Sequence, residues 1–210
     1  RVALARALGR RPAVLLLDEP LASLDTRARV GAASLLATTL RETAIPTVLV
    51  THDFAEAAQL ADEIAVIDGG RVVQTGSASE LAASPASAFV ADFTGAVVLT
   101  GTADGTRVRL DRGGDLVTTV AAAGPVAVTI HPWDIALDTP DAAGSGSASN
   151  RLAAQVTSVT AIGNRVRVGL SAGQPLVAEV TPNAVDRLHL APGAEVVAVF
   201  KAAATRVVPG

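Results

Sequence analysis

Two patterns of apolar and polar residues divide the chain. Up to about Gly95, short continuous apolar runs alternate with stretches of helical spacing; beyond it, apolar and polar residues alternate with a period of two. In "RVALARALGR" (1–10), Val2, Leu4, Ala5 and Leu8 suit a helix that Gly9 can end. "AVLLL" (13–17) is too short for a helix and predicts a strand buried on both faces, as in a parallel sheet. Residues 26–42 place Val30, Ala33, Ala37 and Leu40 along one helical face, with Arg27, Arg41 and Glu42 elsewhere. "TVLV" (47–50) predicts a second buried strand and "FAEAAQLA" (54–61) a short helix after it. "EIAVID" followed by "GGRVVQTG" reads as a strand, a Gly-Gly turn and another strand. Helical stretches at 79–83 and 86–93 complete this half. Strand–helix–strand order with short links predicts an α/β fold with parallel pairing.

In the second half, "TRVRL" (106–110) and "NRVRVGL" (164–170) alternate apolar residues with arginine, as half-buried strands do. "LVTTV" (116–120) and "LVAEV" (176–180) follow them at nearly the same distance, so Arg107 matches Arg165 in a weak internal duplication. The stretch "DAAGSGSASN" (141–150) between the copies reads as a flexible linker. The expected organisation is an α/β domain over 1–94 and an all-β domain over 95–210, in two similar pieces joined at about 141–149.

Composition narrows the chemistry. A chain of 210 residues can bury a sizeable core in one or two domains. Without cysteine it has no disulfide framework, and His52, His131 and His189 lie too far apart in sequence to suggest a protein-only zinc site. A net charge of −3 argues against a nucleic-acid-binding face. No apolar run approaches the ~18 residues of a membrane span, and no signal peptide is visible. Arg1 lies inside a helical pattern with no initiator methionine, which suggests a fragment.

The apolar run at 13–17 ends on two carboxylates, Asp18 and Glu19, followed by Pro20. Burying an ionised carboxylate without a partner costs several kcal/mol, roughly, or shifts its pKa. At the C-terminal end of a parallel strand the pair would instead reach the crevice where α/β proteins bind ligands. An Asp there can hold magnesium, and a neighbouring Glu can orient or deprotonate a water. "DEP" alone is equally consistent with a solvated turn.

The continuation decides between them. "LLLDEPLASLD", then "VLVTHD", then "ADEIAVIDGGRVVQTGS" resembles the ABC-type ATPase family in order, spacing and residue type over about the first 94 residues. "VLLLDE" is similar to its Walker B strand, "LASLD" to its D-loop and "THD" to its switch-histidine segment; "RVALARAL" resembles the helix after its signature motif. The resemblance implies that Asp18 coordinates Mg²⁺, that Glu19 is the general base, and that His52 contacts the γ-phosphate and the attacking water. It implies that Asp25 reaches a partner's nucleotide site, while an N-cap for a helix starting at Thr26 is an equally compatible role. Asp53 can likewise cap the helix after it. The chain departs from the family in having no G-x-x-x-x-G-K-[ST] loop, no signature motif and no adenine-stacking aromatic; its one lysine is Lys201.

"VAVTIHPWDIAL" (126–137) resembles a segment of TOBE-bearing importer ATPases, with His131 and Trp133 standing where the family has Arg and Glu; Trp133 is expected to pack. From Ser147 onward the chain resembles a molbindin-like TOBE domain, an OB-like β fold found on importers of molybdate and other solutes. Of the oxyanion pattern S-A-R-N and K-A-T, the chain keeps Ser147 and Lys201 but has Ser149 for the arginine and Ala203 for the threonine. Lys201 reads equally as a solvated strand residue. The resemblance implies an ATP- and Mg²⁺-using subunit that pairs with a second copy and drives transmembrane permease subunits from the cytoplasmic membrane face. An oxyanion is the favoured solute, and molybdate is the example most similar. The competing readings are an oxyanion storage or sensing module with a vestigial ATPase remnant, and a DNA-maintenance ATPase. The β half, the acidic balance and the lack of heptads count against the last.

Overall fold

A computed structural model describes residues 6–10, 12–142 and 150–209. The described residues form two compact units, 1–80 and 81–210.

In the first unit, residues 6–8 are helical and the start of the expected N-terminal helix lies outside the described residues. Strand β1 (Leu15–Asp18) runs parallel to β2 (Thr47–Val50), with Leu16 opposite Val48 and Asp18 opposite Val50. The 18-residue helix α1 (Thr26–Thr43) joins them. Asp25 caps its start by accepting from the Ala28 N–H, and Ala44 ends it in the left-handed region, with φ 49° and its N–H on the Leu40 carbonyl. Helix α2 (Phe54–Leu60) is capped by Asp53, whose side chain accepts from the N–H groups of Ala55 and Glu56. Strands β3 (Ile64–Asp68) and β4 (Arg71–Gly76) form a hairpin about Gly69 and Gly70, both at positive φ. Ser77 and Glu80 then make a reciprocal cap at the start of helix α3 (Ala78–Ala83). Those Ser77 donors hold the Glu80 carboxyl below its ordinary pKa.

Two expectations need correction here. Leu15 is buried, but Val14, Leu16, Val48 and Val50 are 51%, 73%, 55% and 54% exposed, so β1 and β2 are not covered on both faces. Side chains alternate across a strand, and among the described residues the first unit puts no layer over the Leu16/Val48 side. On α1 the buried positions are Ala33, Leu36 and Ala37, whereas Val30 is 67% exposed. The covered stripe is shorter than the sequence pattern at both ends, with Val30 exposed and Leu40 only half-buried.

The second unit carries a continuous core that runs from Val97 to Phe200. Helix α4 (Ala88–Phe93) packs on two long antiparallel strands, β5 (Val97–Leu110) and β6 (Asp115–Ile130). That packing places 81–94 with the β unit, so the compact units divide at 80/81, upstream of the Gly95 change in pattern. A 3₁₀ turn (Pro132–Asp134) leads to β7 (Ala136–Asp138). After the break in the described residues come β8 (Asn150–Ile162), β9 (Arg165–Ser171), β10 (Pro175–Val180) and helix α5 (Pro182–Leu188). The chain ends with β11 (Glu195–Phe200), another 3₁₀ turn (Ala202–Ala204) and β12 (Arg206–Pro209). Asn150 belongs to β8 and is 1% exposed, so it is not linker.

The duplication is interlocked. The strand orders are β10-β9-β8-β11-β7 and β12-β6-β5, so the last strand of each half joins the sheet of the other. Buried amides reinforce the exchange. The Asn150 side chain accepts from the Val117 N–H and donates to its carbonyl, and Gln174 makes the same paired contact with Thr100. Each buried amide is thereby satisfied at both ends.

Candidate functional site

Glu19 is the first residue beyond β1, and its N–H donates to the Val50 carbonyl at 2.9 Å. Its backbone is left-handed, φ 45°, which a non-glycine residue adopts at a cost of roughly 1–2 kcal/mol. Unlike Ala44, which reaches the same region as a helix C-cap, Glu19 adopts it at the end of a strand. The Glu19 carboxylate meets His52, two residues beyond β2, with Nδ1 2.7 Å from Oε1. Two parallel strands ending side by side bring together residues 33 apart in sequence.

The imidazole is 81% exposed and the carboxylate 35% exposed, so solvent reaches the pair. The hydrogen bond to Glu19 and its negative charge raise the His52 pKa above 6.5; Asp53 and Glu56 add smaller contributions of the same sign. An imidazole carrying a proton on Nδ1 donates it to Glu19 Oε1, which leaves Oε2 for another donor.

Asp18 ends β1 with an exposed side chain and lies opposite Val50 in the register. Among the described residues no three His, Cys, Asp or Glu side chains gather as a metal cage. Asp25 is exposed and caps α1, with the Ala28 N–H 2.8 Å from Oδ1. The capping role therefore exists in this chain, whatever else the residue does.

The structure adds residues that motif reading passes over. Thr51 accepts from the Asp53 N–H at 3.1 Å and donates to Glu56 Oε2 at 2.9 Å. Glu56 is only 7% exposed. Arg29 donates to the Leu24 carbonyl at 3.2 Å and pairs with Asp53 at 3.8 Å. The available signal was spacing: Arg29 lies one helical turn after Asp25, and Glu56 three residues after the Asp53 cap.

In the second unit, Lys201 is exposed at the start of the second 3₁₀ turn, and Ser147 lies outside the described residues. His131 occupies the corresponding place before the first 3₁₀ turn. Trp133 is 56% exposed, but its ring stacks on His131 with centroids 4.3 Å apart and planes inclined 7°. It packs against a neighbouring ring without entering the core.

Residues 146–207 match the TOBE domain family. The chain is 43% identical over 145 residues to an Fe(3+) ions import ATP-binding protein of Rhodococcus jostii, covering 69% of this chain and 42% of that one. It is 39% identical over 213 residues to a sulfate/thiosulfate import ATP-binding protein of Burkholderia mallei, covering 100% of this chain and 59% of that one. Among solved structures, the cytoplasmic molybdate-binding protein ModG with molybdate bound matches with a TM-score of 0.50 and 26% identity. The match covers 54% of this chain and 96% of that one.

Proposed function

We propose that the chain, which is similar to the ATP-binding subunits of ABC importers and matches the TOBE domain family over 146–207, contributes the hydrolytic side of an importer's ATP site. One observation carries the proposal: Glu19 and His52 meet at the C-terminal ends of paired parallel strands, beside the exposed carboxylate of Asp18.

In this reading the left-handed turn at Glu19 aims a carboxylate at the attacking water, and His52 holds one of its oxygens. With Oε1 engaged by His52, Oε2 is the oxygen that accepts the water proton. When protonated, His52 would also place positive charge where the γ-phosphate oxygens gain negative charge. Asp18 would hold magnesium, largely through water, and the ion would supply charge neutralisation for the β- and γ-phosphates. The phosphate-cradling and adenine-binding parts would come from sequence of the kind present in the longer relatives.

The complete subunit would act as a pair, with Asp25 facing the second copy, and would drive transmembrane permease subunits from the cytoplasmic membrane face. Among the described residues no helix is long and apolar enough to cross a membrane. An oxyanion, with molybdate or sulfate as the tetrahedral examples, is the proposed solute class. The whole-chain alignment with a sulfate/thiosulfate relative and the likeness of 54% of the chain to a molybdate-binding protein support it.

The test is Glu19→Gln in the full-length subunit. Removing a general base lowers turnover by roughly 10²- to 10⁴-fold, while nucleotide affinity, which depends on phosphate contacts, stays within about threefold. Phosphate release and nucleotide-binding titrations read the two effects separately. Near-wild-type turnover in the variant would assign the base elsewhere.

A further inference from the structure

We propose that Arg29 is a positioning residue that holds the 21–25 turn and the His52-bearing segment in one register, and so sets where His52 meets Glu19. The inference rests on the hydrolytic reading above and deepens it.

Arg29 stands in the first turns of α1, with its backbone N–H on the Asp25 carbonyl at 2.9 Å. Its guanidinium works as a fork between two segments. Nη2 donates to the Leu24 carbonyl at 3.2 Å, on the turn that leads into α1. Nη1 lies 3.8 Å from Asp53 Oδ2, on the residue next to His52. The other Asp53 oxygen caps α2 through Ala55 and Glu56, at 2.9 and 3.2 Å. A chain of polar contacts thus runs from Leu24 through Arg29 and Asp53 to the backbone that presents His52, and His52 touches Glu19.

Two features distinguish positioning from general stabilisation. The Arg29 and Asp53 side chains are 41% and 36% exposed, and an ion pair so open to solvent adds little to folding stability. The fork also cannot be reproduced by an ammonium group, which is a point charge on a flexible stem. Arg29 Nε and Glu56 Oε1 are each buried and lack hydrogen-bond partners among the described residues. Arg29 is therefore held through its terminal nitrogens alone, and its orientation depends on Leu24 and Asp53 together.

The charged groups acting on His52 are Glu19, Asp53 and Glu56. Arg29 is the cation paired with Asp53. Removing Arg29 gives opposite results under the two accounts. If Arg29 only neutralises Asp53, its loss leaves more negative charge near His52 and the imidazole titrates at still higher pH. If Arg29 positions the segment, His52 drifts from Glu19 and its midpoint falls back toward 6.5.

The experiment is an NMR titration of His52 in this chain, without nucleotide, for wild type, Arg29→Ala and Arg29→Lys. Both variants are expected to lower the midpoint, Arg29→Lys included, because it keeps the charge and loses the fork. In the full-length subunit the same variants are expected to lower kcat about tenfold or more with KM within about twofold, as small misplacements of reacting groups do. An unchanged or raised midpoint in Arg29→Ala overturns the proposal. So does wild-type behaviour of Arg29→Lys in both measurements. Because the titration involves no hydrolysis, a failure of the ATPase reading, seen with Glu19→Gln, is distinguishable from a failure of this one.

Discussion

His52 is the residue whose chemistry depends most on a partner. Its folded pKa is raised by Glu19, so the pair's contribution to stability is fully present below the unfolded value of 6.5 and is lost as pH rises through the folded value. We expect an NMR midpoint above 6.5 in the wild-type chain and a fall toward 6.5 in Glu19→Gln. A midpoint that ignores the substitution would show that the 2.7 Å contact is not the source of the shift. Lys201 allows a second residue-level expectation. A tetrahedral dianion leaving water needs several donors or cations, and Ser149 and Ala203 stand where the oxyanion pattern has arginine and threonine. Losing one charged hydrogen bond costs about 1.5–3 kcal/mol, or roughly ten- to a hundred-fold in affinity. Calorimetric titration with molybdate, tungstate and sulfate should therefore show weak binding at best, weaker still in Lys201→Ala. Tight binding that survives Lys201→Ala would put the site elsewhere.

At the scale of elements, the β-unit turns carry the sharpest constraint. Gly173, in the turn between β9 and β10, has φ +79°, and a Cβ there would collide with the Arg112 carbonyl. Gly163, between β8 and β9, has φ +60° but open space around the same position. Gly163→Ala should cost only the left-handed strain of roughly 1–2 kcal/mol. Gly173→Ala adds an overpacking cost of about 1–3 kcal/mol, because a backbone carbonyl cannot yield as a flexible side chain can. Urea unfolding of the two variants tests the ordering; equal losses would mean that the Arg112 turn moves freely.

At the scale of the whole molecule, the proposed reading gives this chain one side of an ATP site. It presents Asp18, Glu19 and His52, but none of its 210 residues forms a G-x-x-x-x-G-K-[ST] loop. The purified chain should therefore release no phosphate from Mg-ATP beyond the level of its Glu19→Gln counterpart. Sustained turnover that persists through repurification and vanishes in that variant would contradict this. The two units also differ in how they bury apolar surface. The β unit closes a core over both sheets, whereas β1 and β2 leave one apolar side in solvent. Because a two-stranded sheet is marginal without a covering layer, we expect the β1/β2 region to lose its structure at lower urea than the β unit, read by amide hydrogen exchange.

Local signals carried much of this protein in its sequence. Asp25 before α1 and Asp53 before α2 announce helix starts because a short acceptor side chain can satisfy the first free N–H groups without help from the rest of the chain. The apolar run ending on Asp18 and Glu19 marked a strand with a polar end, and period-two alternation after Gly95 marked the β half. What needed the tertiary structure was every feature that joins distant segments. Nothing local signals the left-handed turn at Glu19, which depends on the Val50 carbonyl, or the Arg29 fork between Leu24 and Asp53. Nor does the repeat pattern show that β7 pairs with β11 and β12 with β6, since alternation defines a strand's two faces but not its neighbour. Burial differed for the same reason. Leu16 and Val48 are as apolar as any core residue, but whether an apolar side is covered depends on a layer that the strand itself does not encode.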